Sequence, residues 1–67
     1  MDALEKLSAR EKEVYELLCK GLLDREISET LGISLETIKK HNKNIYLKLG
    51  ARNRTEAVLL RSVIKNI

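Results

Sequence analysis

A four-residue stretch near the middle of the chain, Leu31-Gly32-Ile33-Ser34, constrains the fold more than any other feature. Gly32 can adopt the left-handed backbone conformation that ends a helix, Ile33 can fill the core, and Ser34 can cap the next helix. Two helices joined by so short a turn cross steeply, and the second then presents its outer face. This punctuation is typical of a helix-turn-helix, although an ordinary helical hairpin uses similar residues.

A first helix is predicted over residues 9–20, before this turn. Ser8 and Glu11 have the spacing of a capping box, in which each side chain bonds to the backbone N–H of the other residue. Gly21 follows the last turn, where glycine commonly ends a helix. Apolar residues recur at helical spacing and define the inward side, Val14, Leu17 and Leu18, and Leu7 lies just before the cap, where it can pack under them.

Three further helices are predicted from the same kinds of signal. Asp24 is expected to cap a second helix over residues 25–31, with Ile27 and Leu31 facing inward. The third helix should span residues 35–49. A second capping box, Asn53-Arg54-Thr55-Glu56, precedes a fourth helix over residues 54–65.

Size and composition limit the chain to one domain covering residues 1–67, an all-α four-helix bundle containing a helix-turn-helix. Strand-favouring aromatic residues make up only 3% of the chain. No apolar run approaches the roughly 18 residues of a membrane span, so we expect a cytoplasmic protein without a membrane partner. The single cysteine, Cys19, cannot form an internal disulfide and is expected to act as a small apolar residue.

Basic charge is concentrated in the second half of the chain. Residues 1–34 carry five Lys and Arg against eight Asp and Glu, a net charge of −3. Residues 35–67 carry eight Lys and Arg against two Glu, a net charge of +6. A polyanionic partner for the second half is the natural hypothesis, and a solvated basic face is the alternative.

The third helix divides into distinct faces when it is wound at about 100° per residue. Its inward stripe consists of Ile38, Ile45 and Leu49, with Asn42 and Tyr46 beside it. The far side carries Glu36, Lys39, Lys40 and Lys43, and a polar flank carries Thr37, His41, Asn44 and Lys48. A merely solvated helix usually mixes acidic residues into such a face, and here only Glu36 is available. The lysines therefore lie where a recognition helix meets base edges and phosphates.

Many residues recur together in the order and spacing of a known family. They are Leu7 to Val14, Gly21, Arg25-Glu26-Ile27, Leu31 to Ser34, Thr37 to His41, Ile45, Lys48-Leu49 and Asn53 to Val58. The chain resembles, over nearly its whole length, the LuxR family helix-turn-helix domain, also called the GerE or FixJ/NarL type. The resemblance implies that the second and third helices form the helix-turn-helix, that the third lies in the major groove of double-stranded DNA, and that the fourth supplies a dimer contact.

The resemblance also implies roles for individual residues. Lys39, Lys40 and Lys43 correspond to contacts with base edges in the groove, and Arg25, Thr37 and His41 correspond to phosphate contacts. For His41, a ring packed against its neighbours with one nitrogen bonded to backbone is an equal alternative. Leu23 and Asp24 stand where the family often has Ser or Thr and then Asn, which puts a phosphate contact from the start of the second helix in doubt.

The fourth helix carries more apolar surface than a bundle of this size can cover. One side holds Ala57, Leu60, Ile64 and Ile67, and Leu59 and Val63 widen it to nearly half of the cylinder. Exposed apolar area costs roughly 25 cal/mol per Å², so burial of Leu59 and Val63 in a homodimer is expected. The alternative is that they pack on the N-terminal segment through Leu4.

An enzyme is not expected, because the chain has a single His, no catalytic Ser/His/Asp or Cys/His set and no glycine-rich phosphate loop. For the same reasons no cofactor and no metal site are expected. Two other functions remain open: a promoter-recognition domain like region 4 of sigma factors, and a helical module whose basic face meets an acidic protein. The family resemblance further implies that a receiver or ligand-binding domain can precede such a domain when the chain is part of a longer regulator.

Overall fold

The computed structural model describes residues 3–65, with the side chains of residues 4–63. Within these residues a short 3-10 helix, Ala3–Lys6, leads into four α-helices and no strand. The helices are α1 (Ala9–Cys19), α2 (Asp24–Leu31), α3 (Leu35–Leu49) and α4 (Arg54–Lys65). The predicted all-α fold is therefore confirmed.

The start of α1 follows the predicted capping box. The backbone N–H of Glu11 donates to Ser8 Oγ at 3.1 Å, and the backbone N–H of Ser8 donates to Glu11 Oε1 at 2.9 Å. The helix ends at Cys19, one residue earlier than predicted, because Lys20 serves as its C-cap. Gly21 then takes a positive φ of 92°, as its place after the last turn suggested.

The start of α2 differs from the prediction. Leu23 occupies the N-cap, and Asp24 is already the first residue of the helix. Leu23 has no side-chain oxygen that could cap the helix, but its own backbone N–H donates to Glu26 Oε1 at 2.7 Å. The carboxylate of Asp24 bonds instead to side chains from α3 and α4, and those distant partners could not be anticipated from local spacing.

The turn between α2 and α3 has the predicted construction. Gly32 adopts the left-handed conformation, with φ 66° and ψ 36°, and Ile33 packs against the core. The backbone N–H of Ile33 bonds to the carbonyl of Ser28 at 3.1 Å, and the Ser28 hydroxyl donates to the Ile33 carbonyl. Ser34 caps α3 by accepting from the Thr37 N–H at 3.2 Å. These bonds fix the short turn from which α3 leaves α2.

Only half of the second predicted capping box is present. Asn53 Oδ1 accepts from the backbone N–H of Glu56 at 2.9 Å, as expected of a cap. The Glu56 carboxylate, however, accepts from the N–H of Arg52 at 2.8 Å and not from that of Asn53. The reciprocal bond has therefore moved one residue upstream, and α4 still begins at Arg54 as predicted.

The core lies where the helices meet, and each α-helix contributes to it. Its buried apolar residues are Leu7, Val14, Tyr15, Leu18, Ile27, Ile38, Ile45 and Ala57. Tyr15 and the buried Glu11 were not predicted to be inside. The expected continuation of the inner side of α4 through Ile64 and Ile67 lies outside the described side chains. No helix in the described part of the chain is long and apolar enough to cross a membrane.

Candidate nucleic-acid interface

The rotation of α3 about its axis is set by its buried side. Ile38 and Ile45 have no exposed surface, so the residues on the opposite side must face solvent. That side carries four exposed charged residues in the N-terminal and central turns of the helix: Glu36, Lys39, Lys40 and Lys43. The faces predicted from periodicity are therefore the faces that the fold presents. We call Lys39, Lys40 and Lys43 the lysine face.

Much of the remaining basic charge of the second half is paired with acidic residues of other helices. Among the described side chains, three of its cations pair with acids of the first half: Lys48 with Glu11 at 2.7 Å, Arg54 with Asp24 at 2.7 Å, and Arg61 with Glu16. The charge asymmetry between the halves thus partly reflects ion pairs between helices. By contrast, no residue of the lysine face forms an ion pair with the described residues, so these charges are available to a partner.

A buried carboxylate anchors the C-terminal half of α3 to α1. Glu11 is only 5% exposed, and its Oε1 accepts from Lys48 Nζ at 2.7 Å and from the N–H of Ser8. Burial alone would raise the pKa of Glu11, but the hydrogen bonds from Lys48 and Ser8 outweigh it and lower that pKa. Glu11 is therefore ionised at neutral pH. Lys48 pairs with it and stabilises the packing of α3 on α1, so its charge is not free for a partner.

The predicted phosphate-contacting residues occupy different positions around the helix-turn-helix. Arg25 is exposed in the first turn of α2 and forms no ion pair with the described residues. Thr37 lies in the first turn of α3, where its Oγ1 is 2.8 Å from Ser34 Oγ, and it shares a shallow depression with Lys40. His41 is half-buried and its ring makes no hydrogen bond to the described residues, so the backbone bond of its structural alternative is not seen.

A polar cluster where α2, α3 and α4 meet was missed by the sequence analysis. Asp24 Oδ1 accepts from Asn42 Nδ2 at 2.8 Å and from Arg54 NH1 at 2.7 Å. The second terminal nitrogen of Arg54 donates to the carbonyl of Leu22. Asn42 is 5% exposed, whereas the Asp24 and Arg54 side chains are 27% and 37% exposed. The only sequence signal was a polar residue, Asn42, beside the apolar stripe of α3.

The outer side of α4 remains uncovered. Leu59 and Val63 are 63% and 61% exposed, so the alternative in which they pack on the N-terminal segment through Leu4 is not met. Leu59 also borders a shallow apolar groove together with Leu18 and Val58. The apolar surface of α4 is thus continuous with a depression between α1 and α4.

The arrangement agrees with a comparison against known protein families. The profile of the bacterial regulatory proteins of the luxR family matches residues 5–61. The chain belongs to the luxR family. The resemblance read from the sequence is thereby confirmed, and within this family α2 and α3 are the helix-turn-helix.

Three similar curated proteins are named as regulators. SgaR of Hyphomicrobium methylovorum, named as a transcriptional regulatory protein, is 48% identical over 59 residues. YhjB of Escherichia coli K12, named as an HTH-type transcriptional regulator, is 37% identical over 60 residues, and the oxygen regulatory protein NreC of Staphylococcus aureus is 39% identical over 57. The matches cover 88%, 90% and 85% of this luxR-family chain but only 28%, 30% and 26% of those proteins. The family and these relatives are regulators and not enzymes, as predicted.

Proposed function

We propose that this luxR-family chain is the sequence-specific, double-stranded-DNA-binding domain of a transcriptional regulator, with α3 lying in the major groove. The observation that carries the proposal is the lysine face, whose three exposed cations have no ion-pair partner among the described residues. In the proposed complex Lys39, Lys40 and Lys43 contact base edges, since lysine can donate to O6 and N7 of guanine. The family match also favours this domain over the sigma-factor alternative.

Phosphate contacts are assigned to Arg25, Thr37 and His41. Arg25 is exposed in the first turn of α2, and Thr37 lies in the first turn of α3. A helix N-terminus favours phosphate through its free N–H groups and its dipole. His41 lies on the same helix as Thr37, and its ring makes no hydrogen bond to the described residues, so the ring is available to a phosphate oxygen. Such contacts orient the domain on the duplex and carry no sequence information of their own.

Alanine substitutions test these roles on two duplexes, a binding site selected from random DNA and a scrambled sequence. Lys40→Ala or Lys43→Ala should cost about 1–3 kcal/mol on the selected site and much less on the scrambled one. Arg25→Ala should weaken binding to both duplexes alike. It should also make the slope of log affinity against log salt concentration shallower by about one, since one phosphate contact is lost. Lys12→Ala is a matched control, because Lys12 is an exposed α1 lysine without an ion pair to the described residues.

Equal losses on both duplexes for Lys40→Ala and Lys43→Ala would mean that the lysine face does not read sequence. No loss on either duplex, at any salt concentration, would contradict DNA binding by this face altogether. An acidic protein partner would then become the better hypothesis. Binding to such a partner can be recognised because its affinity should depend less steeply on salt than binding to duplex DNA does.

We further propose that the domain binds an inverted repeat as a homodimer through α4. One recognition helix with about four cationic contacts should bind at micromolar affinity or weaker at physiological salt. A two-fold dimer places two recognition helices about 34 Å apart, which corresponds to half-site centres about ten base pairs apart. The exposure of Leu59 and Val63 supports α4 as the contact, because burying them in a second copy removes apolar area from water.

Substitution of Leu59 separates an interface from a core role. Leu59→Glu should keep the helical content, since the side chain is 63% exposed, but should abolish cooperative binding to the inverted repeat. Leu59→Met is the control, because it keeps an apolar side chain of similar volume and should bind normally. Circular dichroism and titration of single and paired half-sites provide the two measurements. Unfolding of Leu59→Glu, or undiminished binding to paired half-sites, would refute the α4 dimer.

A controlling domain joined to this chain is also proposed. SgaR, YhjB and NreC are each more than three times as long as the segment they share with it. A receiver or ligand-binding domain in the remainder of such a regulator would control dimerisation of α4. Comparing the inverted-repeat affinity of the isolated 67 residues with that of the full reading frame tests this, and equal affinities in every signalling state would contradict it.

A further inference from the structure

The attachment of α4 to the rest of the domain is divided between two places. Towards α1, the Tyr15 hydroxyl donates to the carbonyl of Ala57 at 2.7 Å, and Arg61 pairs with Glu16. Towards the helix-turn-helix, all hydrogen bonds that α4 makes among the described residues come from Arg54, its first residue. Beside the apolar packing of Ala57 and Val58 on the core, one guanidinium group therefore supplies the polar attachment of α4 to α2 and α3.

Asp24, the partner of the Arg54 guanidinium, lies where three helices meet. A single oxygen, Oδ1 of Asp24, accepts from Arg54 of α4 and from Asn42 of α3, while Asp24 itself begins α2. The three helices are thus held at one carboxylate. Hydrogen bonds to a charged group are the stronger ones, and the partial burial of Asp24 and Arg54 limits competition from water.

We infer that the Asp24–Arg54 pair is a positioning device that sets the angle between the DNA-reading helices and the dimer helix, and thereby the half-site spacing that the regulator prefers. The inference rests on the proposed α4 dimer. Leu59 follows Arg54 by five residues, about 7.5 Å along the helix, so the pair lies close to the proposed interface. The helix that carries the dimer contact therefore begins at the group that holds α2 and α3.

Half-site spacing depends on how the two recognition helices are oriented within the dimer. A change of one base pair moves the half-sites apart by about 3.4 Å and turns them about the DNA axis by roughly 35° relative to each other, which is roughly 1.7 Å and 17° for each subunit. To follow such a change, α2 and α3 must reorient relative to α4. Weakening the Asp24–Arg54 pair allows such a rotation without unfolding any helix.

Two substitutions weaken the Asp24–Arg54 pair, one at each residue. Asp24→Asn removes the charge that Arg54 pairs with but keeps an oxygen that can accept from Asn42, so the α2–α3 bond is preserved. Arg54→Gln removes the guanidinium and leaves Asp24 intact. The double variant should behave like Arg54→Gln, because that change already removes the ion pair with Asp24 together with the bond to the Leu22 carbonyl. Glu16→Gln is the matched control, since it breaks the ion pair of α4 with α1 and leaves Arg54 untouched.

The measured quantity is a ratio of affinities for inverted repeats, comparing the preferred spacing with spacings one base pair shorter or longer. Changing the net charge by one alters the affinity for every duplex alike, so it cancels in this ratio. We expect Asp24→Asn, Arg54→Gln and the double variant to reduce the ratio by about tenfold, the factor equivalent to one charged hydrogen bond. Their relative preference for a selected single half-site over a scrambled one should stay unchanged. Glu16→Gln should retain the parental ratio.

Each other outcome overturns the inference in a recognisable way. An unchanged spacing ratio in Asp24→Asn and Arg54→Gln means that the pair does not position the dimer. An equal fall in Glu16→Gln means that any weakening of α4 has this effect and that Asp24 has no special place. A parent protein without spacing preference refutes the α4 dimer and this inference together, while the tests on Lys40 and Lys43 still decide DNA reading independently.

Discussion

Replacing Tyr15 with Phe removes a single hydroxyl from the junction of α1 and α4. That hydroxyl donates to the Ala57 carbonyl at 2.7 Å, and both residues have no exposed surface. Ala57 lies inside α4, so its carbonyl retains the helical backbone bond and is not orphaned by the substitution. The cost should therefore be that of one neutral hydrogen bond, about 0.5–1.5 kcal/mol. For a domain of this size, each 1 kcal/mol lowers Tm by about 4–8 °C.

Thermal and urea unfolding followed by circular dichroism measures this loss. Burial raises the pKa of the Tyr15 phenol far above its ordinary range, so the hydroxyl remains a donor and the loss should be constant at neutral and mildly alkaline pH. Thr30→Val is the control, because it removes a hydroxyl that bonds to the Glu26 carbonyl on an exposed surface and should change stability by less than about 0.5 kcal/mol. If Tyr15→Phe melted with the parent protein, the hydrogen bond would not anchor α4.

Three further expectations concern stability. The pKa of Glu11 is lowered in the folded protein, so its ionised form stabilises the fold at pH values above its ordinary pKa of 4.5. This contribution is lost as the pH falls through the folded-state pKa. When unfolding is measured as the pH is lowered, Glu11→Gln should therefore lose less stability than the parent protein. Gly32→Val should cost about 1–3 kcal/mol and Gly32→Asn clearly less, because a Cβ at Gly32 meets open space and only the positive φ of 66° is strained; equal melts for both would contradict this reasoning. Ser8→Ala should cost about 1 kcal/mol in urea unfolding, and an unchanged midpoint would mean that the cap is dispensable.

Local signals in the sequence were sufficient for the helices and for the outer face of α3. Ser8, Gly32 and Ser34 act through partners a few residues away, and such short-range bonds recur whatever the rest of the fold does. The lysine face was predictable for a similar reason, since the 3.6-residue period of a helix turns spacing along the chain into direction around the axis. Even so, Asp24 and Glu56 show that an acidic residue at cap spacing can find a different partner.

Tertiary structure alone decided which charged residues remain free and how α4 is held. By itself the sequence determined that the second half is basic, but Lys48, Arg54 and Arg61 meet their acids across separations of 30 residues or more. No periodicity predicts such pairs, because they depend on how the helices cross. The same holds for Tyr15, whose bond to Ala57 spans 42 residues and whose burial follows from the docking of α4 on α1. Spacing defines the surface of each helix, and only packing determines which surface it meets.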